Sequence, residues 1–204
     1  MNPKQSFPES ECRHVAPSDT DPFIARMRFH QSWWRRTQLG LDPGPNPHAR
    51  GALYGNMLCE TDGKQGKNFL TPGIATIAED RFPSLGQGNG TRRLYNNLLS
   101  SQPMCFNLFG PLKHDLALAT RLLRHLPAFP DDAEVVRIDF EWAPSKAQHL
   151  NDATAFDVFV SYKRPGGKNG FIGIETKLTE PFSQQRYEFT ERYARWKSSK
   201  GWWW

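Results

Sequence analysis

Cysteine is scarce in this 204-residue chain: Cys12, Cys59 and Cys105 are three, an odd number without CxxC spacing. That excludes a disulfide framework and a zinc knuckle, and it points to a reducing, cytoplasmic setting. No stretch approaches the roughly 18 apolar residues of a membrane helix, and Met1 to Ser6 lack the apolar run of a signal peptide. A soluble intracellular protein is therefore expected. The 6 histidines are scattered without H-E-x-x-H spacing, which removes that zinc-hydrolase pattern. Gly86 to Gly90 follows no strand and precedes no Lys-Ser/Thr, so it is a loop and not a phosphate cradle, and no cofactor motif supports a small-molecule enzyme. Excess charge is modest as well. A formal charge of +5 and a pI near 9.2 fit a polyanion partner but raise that expectation only slightly.

What is present reads as three regions. Residues 1–20, rich in Pro, Ser, Glu and Asp, are expected to form a mobile arm. Residues 21–50 hold a helix and a Pro-rich loop. Asp21-Pro22 supplies an N-cap with Pro at the first helical position, Phe23, Ile24, Met27 and Trp34 share an apolar face, and Gly40 stops the helix after about Thr37. Arg26, Arg28, Arg35 and Arg36 stud this helix beside Trp33 and Trp34, as in helices that bind nucleic acid. An ordinary amphipathic helix with buried tryptophans explains the same pattern. Residues 51–204 form the main domain. Thr71-Pro72 starts a helix to Arg81, Ser84 to Gly90 is a loop, and Arg92 to Leu99 is helical in pattern. Pro103 opens a turn that carries Phe106, Leu108 and Phe109 into the core, and Asp115 caps a helix to about His125.

Strand patterns follow. Val136, Ile138, Phe140 and Trp142 alternate with Arg137, Asp139 and Glu141, which places Glu141 on the face opposite the apolar row. Ser145 to Asn151 is a loop. Phe156, Val158, Val160 and Tyr162 alternate in a second strand that carries Asp157, the Gly-rich Pro165 to Gly170 makes a turn, and a third strand runs from Phe171 to Leu178. Glu175 and Lys177 then share one face, roughly 6–7 Å apart. A register that sets Asp157 across from Glu175 brings their Cβ atoms within about 4.5–5.5 Å. Two carboxylates that close repel unless a cation sits between them, and hard oxygen ligands suit Mg²⁺, with Mn²⁺ as a substitute. The bland alternative is a solvated strand face with an ion pair worth about 0–1 kcal/mol.

Asp157 followed by Glu175-Thr176-Lys177, with Phe156 where the motif has Pro, resembles the PD-(D/E)XK nuclease superfamily. The block Ser100-Ser101-Gln102-Pro103-Met104-Cys105-Phe106-Asn107-Leu108-Phe109-Gly110-Pro111-Leu112, then Ile138 to Pro144, Thr154 to Asp157 and Gly170 to Glu180, resembles in order a bacterial family of restriction endonucleases within it. The likeness spans about residues 50 to 195. It implies an α/β, restriction-endonuclease-like fold, a mixed β-sheet flanked by helices, and Mg²⁺-dependent hydrolysis of DNA. By that resemblance Asp157 and Glu175 hold the metal, and Lys177 orients or helps deprotonate the attacking water and stabilises the pentavalent phosphate. Glu141 is a further acidic group, and Gln102 joins the site through water, with Asn107 as its rival. The competing reading is a catalytically silent nuclease-like module that binds DNA or protein. Beyond Lys177, Thr179-Glu180-Pro181 starts a helix in which Tyr187, Phe189 and Tyr193 are spaced toward Trp196. Trp202 to Trp204 read as an exposed end, so a shortened family member is expected. Sequence preference and oligomeric state, a dimer included, stay open.

Overall fold

Side-chain caps open the helices of the computed structural model, which describes residues 19–82, 89–144 and 155–181. Asp21 Oδ1 accepts from the amides of Phe23 at 2.7 Å and Ile24 at 3.2 Å and begins α1 (Pro22–Trp34). One π-helical turn, Arg35–Leu39, extends α1 to Gly40, which ends it with a left-handed φ of 66°. A short antiparallel ladder, β1 (Gly44–Pro45) with β2 (Leu53–Tyr54), leads to α2 (Glu60–Lys64). Thr71 Oγ1 accepts from Ile74 N at 3.3 Å and caps α3 (Pro72–Arg81). Helix α4 (Asn89–Asn96) precedes α5 (Ser101–His114), which Ser100 caps. Asp115 Oδ1 accepts from Leu118 N at 2.8 Å at the start of α6 (Leu116–Leu123).

Strands β3 (Glu134–Trp142), β4 (Phe156–Arg164) and β5 (Lys168–Ile174) then form an antiparallel sheet in the order β3-β4-β5. The β4–β5 turn needs Gly166 and Gly167, whose φ values of 78° and 74° only glycine adopts at little cost. Val135, Ile138, Phe140, Val158 and Val160 face the helices and bury Phe106, Cys105 and Leu112 of α5. Phe106, 0% exposed, stacks on Phe140 at 4.4 Å between ring centres. Among the described residues no helix is long and apolar enough to cross a membrane.

Several expectations are corrected here. A register shift between Val135 and Arg137 breaks the alternation of β3, so Val135 is buried and Val136 is exposed. Trp142 leaves the Phe140 row, because it stacks on Phe159 at 4.0 Å while Phe140 stacks on Phe106. Strand β5 ends at Ile174, so Glu175 and Lys177 lie beyond the strand and not on it. Leu108 and Phe23 are exposed, at 57% and 50%. Residues 1–18 of the arm, the Ser84 to Gly88 part of its loop, Ser145 to Asn151, the segment with Tyr187, Phe189, Tyr193 and Trp196, and Trp202 to Trp204 lie outside the described residues.

The buried positions of α1 and its π-turn are Ser32 and Arg35, not the tryptophans. Arg28 donates from Nε to Asp19 Oδ2 at 2.5 Å and also to Asn56 Oδ1. Asn56 in turn donates from Nδ2 to Asn97 Oδ1 at 2.7 Å, and Arg35 Nε donates to Gly55 O at 2.8 Å. Two of the four arginines read as a nucleic-acid face therefore anchor the helix to the domain instead.

Candidate active site

The first turn of α5 is the platform. Ser100 Oγ accepts from Gln102 N at 3.2 Å, which fixes Gln102 where the unpaired amides and the positive end of the helix dipole lie. The sheet brings acids to this point. Val158 pairs with Ile174, where β5 ends, so Asp157 and Glu175 each follow at that end of the ladder. On the other side Phe140 pairs with Val158 and Trp142 with Phe156, and these two pairs bracket Glu141 and Asp157. Glu141, Asp157 and Glu175 thus form one row across the end of the sheet, over the start of α5. Buried Cys105 reports their convergence. Burial pushes its thiol up, and Asp157, Glu141 and Glu175 each push it further, against a hydrogen bond with Thr176.

Asp157 is held by the residue between Glu175 and Lys177. Its Oδ2 accepts from Thr176 N at 2.6 Å and from Thr176 Oγ1 at 2.8 Å. Lys177 Nζ contacts Glu175 Oε1, and this hydrogen bond, with the charges of Glu175 and Asp157, holds the ammonium pKa above its ordinary value. Glu180 fastens the segment to α5. Its Oε1 accepts from Ser101 N at 3.0 Å, Ser101 Oγ at 3.1 Å and Arg93 Nη2 at 3.1 Å, while Oε2 accepts from Leu178 N at 3.3 Å. Burial pushes the Glu180 carboxyl up, but the hydrogen bonds from Ser101 and from its own segment outweigh it and leave the pKa lowered.

Glu141 does not lie opposite the apolar row as alternation predicts. Its φ of 49° is left-handed, and its Oε1 accepts from Gln102 Nε2 at 3.1 Å, on the α5 side. Burial is the largest cause that raises its carboxyl, the Gln102 bond opposes it, and Asp157 and Glu175 add repulsion. A half-buried carboxyl raised in this way beside two further carboxylates is what a divalent cation relieves, and carboxylate oxygens are the donors Mg²⁺ takes. The donor chemistry fits such an ion at Asp157 and Glu175. Among the described residues no group of three or more His, Cys, Asp and Glu side chains is placed to hold one.

The structure separates Gln102 from its rival. Asn107 donates from Nδ2 to Asn68 O at 3.0 Å and accepts from Leu70 N at 2.9 Å, a loop clamp away from the acids. Sequence reasoning missed Thr176, Glu180 and Arg81. Thr176 is the variable position of Glu-x-Lys, and a β-branched residue there reads as strand former. Glu180 reads as a helix start before Pro181. Arg81 donates from Nε to Phe140 O at 3.0 Å and from Nη2 to Glu141 O at 2.7 Å, across 60 residues that no local pattern spans.

Neither a curated protein nor a solved structure matches the chain. The family model of the PD-(D/E)XK nuclease superfamily matches residues 17–204, which takes in every acid of the row, Gln102 and Lys177. The chain belongs to the PD-(D/E)XK nuclease superfamily, and its helices and small sheet have that superfamily's restriction-endonuclease-like α/β fold.

Proposed function

We propose that this protein is a metal-dependent deoxyribonuclease of the restriction type, working in the cytoplasm on phosphodiester bonds of DNA. The observation that carries the reading is the row Glu141, Asp157 and Glu175 at the N-terminus of α5, with the Lys177 ammonium against Glu175. Asp157 and Glu175 would hold Mg²⁺ or Mn²⁺, which supplies a water of lowered pKa and offsets charge on the phosphoryl and leaving oxygens. Thr176 keeps Asp157 oriented through its two bonds. Lys177, whose ammonium lies against Glu175, would place a positive charge beside the attacked phosphorus. It would serve as an electrostatic stabiliser and would orient or help deprotonate the attacking water. Gln102 and Glu141, bonded to each other, would line the approach of the attacking water.

Lys177→Ala tests the reading. Cleavage of plasmid DNA with Mg²⁺ or Mn²⁺ should fall about 10²–10³-fold, the usual cost of one well-placed electrostatic group. DNA binding measured in Ca²⁺ should change little, because one lysine adds at most one phosphate contact. Wild-type protein that binds DNA but cuts under no divalent metal would replace the enzyme with a silent binding module.

A further inference from the structure

In a regular strand, the residue after Phe140 turns its side chain away from α5. Glu141 does the reverse. With Arg50 it is one of two non-glycine residues at positive φ among the described residues. The left-handed residue lets Phe140 and Glu141 both address α5, through Phe106 and Gln102, and sends Trp142 to Phe159 on the other face. Such a conformation is strained for a residue with a Cβ and persists only where its surroundings over-determine it. Arg81, the last residue of α3, supplies the determinant. Its guanidinium forks onto two successive carbonyls, Phe140 O at 3.0 Å and Glu141 O at 2.7 Å. These flank the Cα about which the chain turns. A planar fork of fixed geometry suits that task better than a single donor.

We propose that Arg81 is a positioning residue of the acidic site: by gripping the carbonyls of Phe140 and Glu141 it keeps Glu141 left-handed, and so keeps its carboxylate beside Gln102 and Asp157. The site so aimed is the one that the nuclease reading uses. Arg81 itself is exposed, and its hydrogen bonds here go to the backbone of β3.

The test reads geometry directly, on metal-free protein. In the wild type, the Gln102 side-chain amide protons should show a nuclear Overhauser cross-peak to the Glu141 Hγ protons. Arg81→Ala should abolish that cross-peak and move the Trp142 ring off Phe159, while the Phe106 and Phe140 rings keep the shifts of a stacked pair. Arg81→Lys, which can still donate to both carbonyls, should restore it in part. A cross-peak of full intensity in Arg81→Ala overturns the proposal. Should Arg81→Ala fail to fold, Glu141 carries the test. Glu141→Gly should melt above Glu141→Ala, against the usual order in a strand, because glycine accepts positive φ freely. The ordinary order, with alanine the more stable, overturns the proposal too. Mn²⁺ affinity by calorimetry should drop about 10-fold in Arg81→Ala, the scale of an outer-shell loss. A wild type that binds no Mn²⁺ counts against the nuclease reading alone, while the cross-peak decides the role of Arg81 either way.

Discussion

Thr176 donates to Asp157 twice, from its backbone amide at 2.6 Å and from Oγ1 at 2.8 Å, and both bonds end on the same carboxylate oxygen. One oxygen is thereby pinned, and Oδ1 receives no hydrogen bond from another described residue. The residue that the Glu-x-Lys motif leaves unspecified thus orients the acid on the neighbouring strand. Thr176→Val keeps the shape and the amide but removes the hydroxyl, which also reaches Ser101 O at 3.4 Å. Loss of stability should be about 1–3 kcal/mol in urea unfolding, the cost of leaving a buried acceptor short.

Asp157→Asn should remove divalent-metal binding. An amide keeps the size of the side chain and an acceptor oxygen for Thr176, but it loses the charge that draws the ion. Titration calorimetry with Mn²⁺ checks this. Equal affinity in wild type and variant would move the metal away from Asp157.

Glu180 predicts a pH dependence. Its folded pKa lies below the unfolded value of about 4.3, because Ser101 and its own segment donate to the carboxylate. Its contribution is therefore complete above the unfolded pKa and is lost as pH falls through the folded one. The urea midpoints of wild type and Glu180→Gln should differ at about pH 6 and converge on acidification toward about pH 3. A gap that stays constant over that range would mean that the charge of Glu180 does not matter.

Phe106→Ala should cost about 3–5 kcal/mol, because the ring is fully buried and stacked on Phe140 under the site. Denaturant unfolding followed by circular dichroism measures it.

Cys105 should be inert to thiolate-selective reagents in the native state. Its thiol is buried and pushed up by three acids, so the reactive anion is suppressed at neutral pH. Mass spectrometry after iodoacetamide treatment should find Cys59 modified well before Cys105, and equal rates would refute it.

The hairpin and the caps at Asp21, Thr71 and Asp115 were legible because each rests on local periodicity or a short motif. Glu141 was legible as an acid near the site but not as one facing α5. Its direction depends on a left-handed φ held by Arg81 of α3, and alternation cannot report that. Val136 was misassigned to the core for a related reason, since a shift at one residue reverses the inside and outside of all that precedes it. The roles of Arg28 and Arg35 were hidden because charge in a helix reads alike whether it meets solvent or an internal carbonyl. Thr176 escaped because the side-chain bond that matters runs from the segment after β5 to Asp157 on β4.

The bonds that bind the Glu-x-Lys segment to α5 also fix when the site can exist. Ser101 and Glu180 are 79 positions apart, Gln102 and Glu141 are 39 apart, and Asp157 and Thr176 are 19 apart. Contacts this distant close only after the intervening chain has collapsed, since loop entropy is lost before the bonds compensate for it. During synthesis the segment beside the acid row is therefore not fastened to α5 before Glu180 has left the ribosome. Under the nuclease reading, a nascent chain stalled before that point lacks the clamp that fastens the Glu-x-Lys segment to α5.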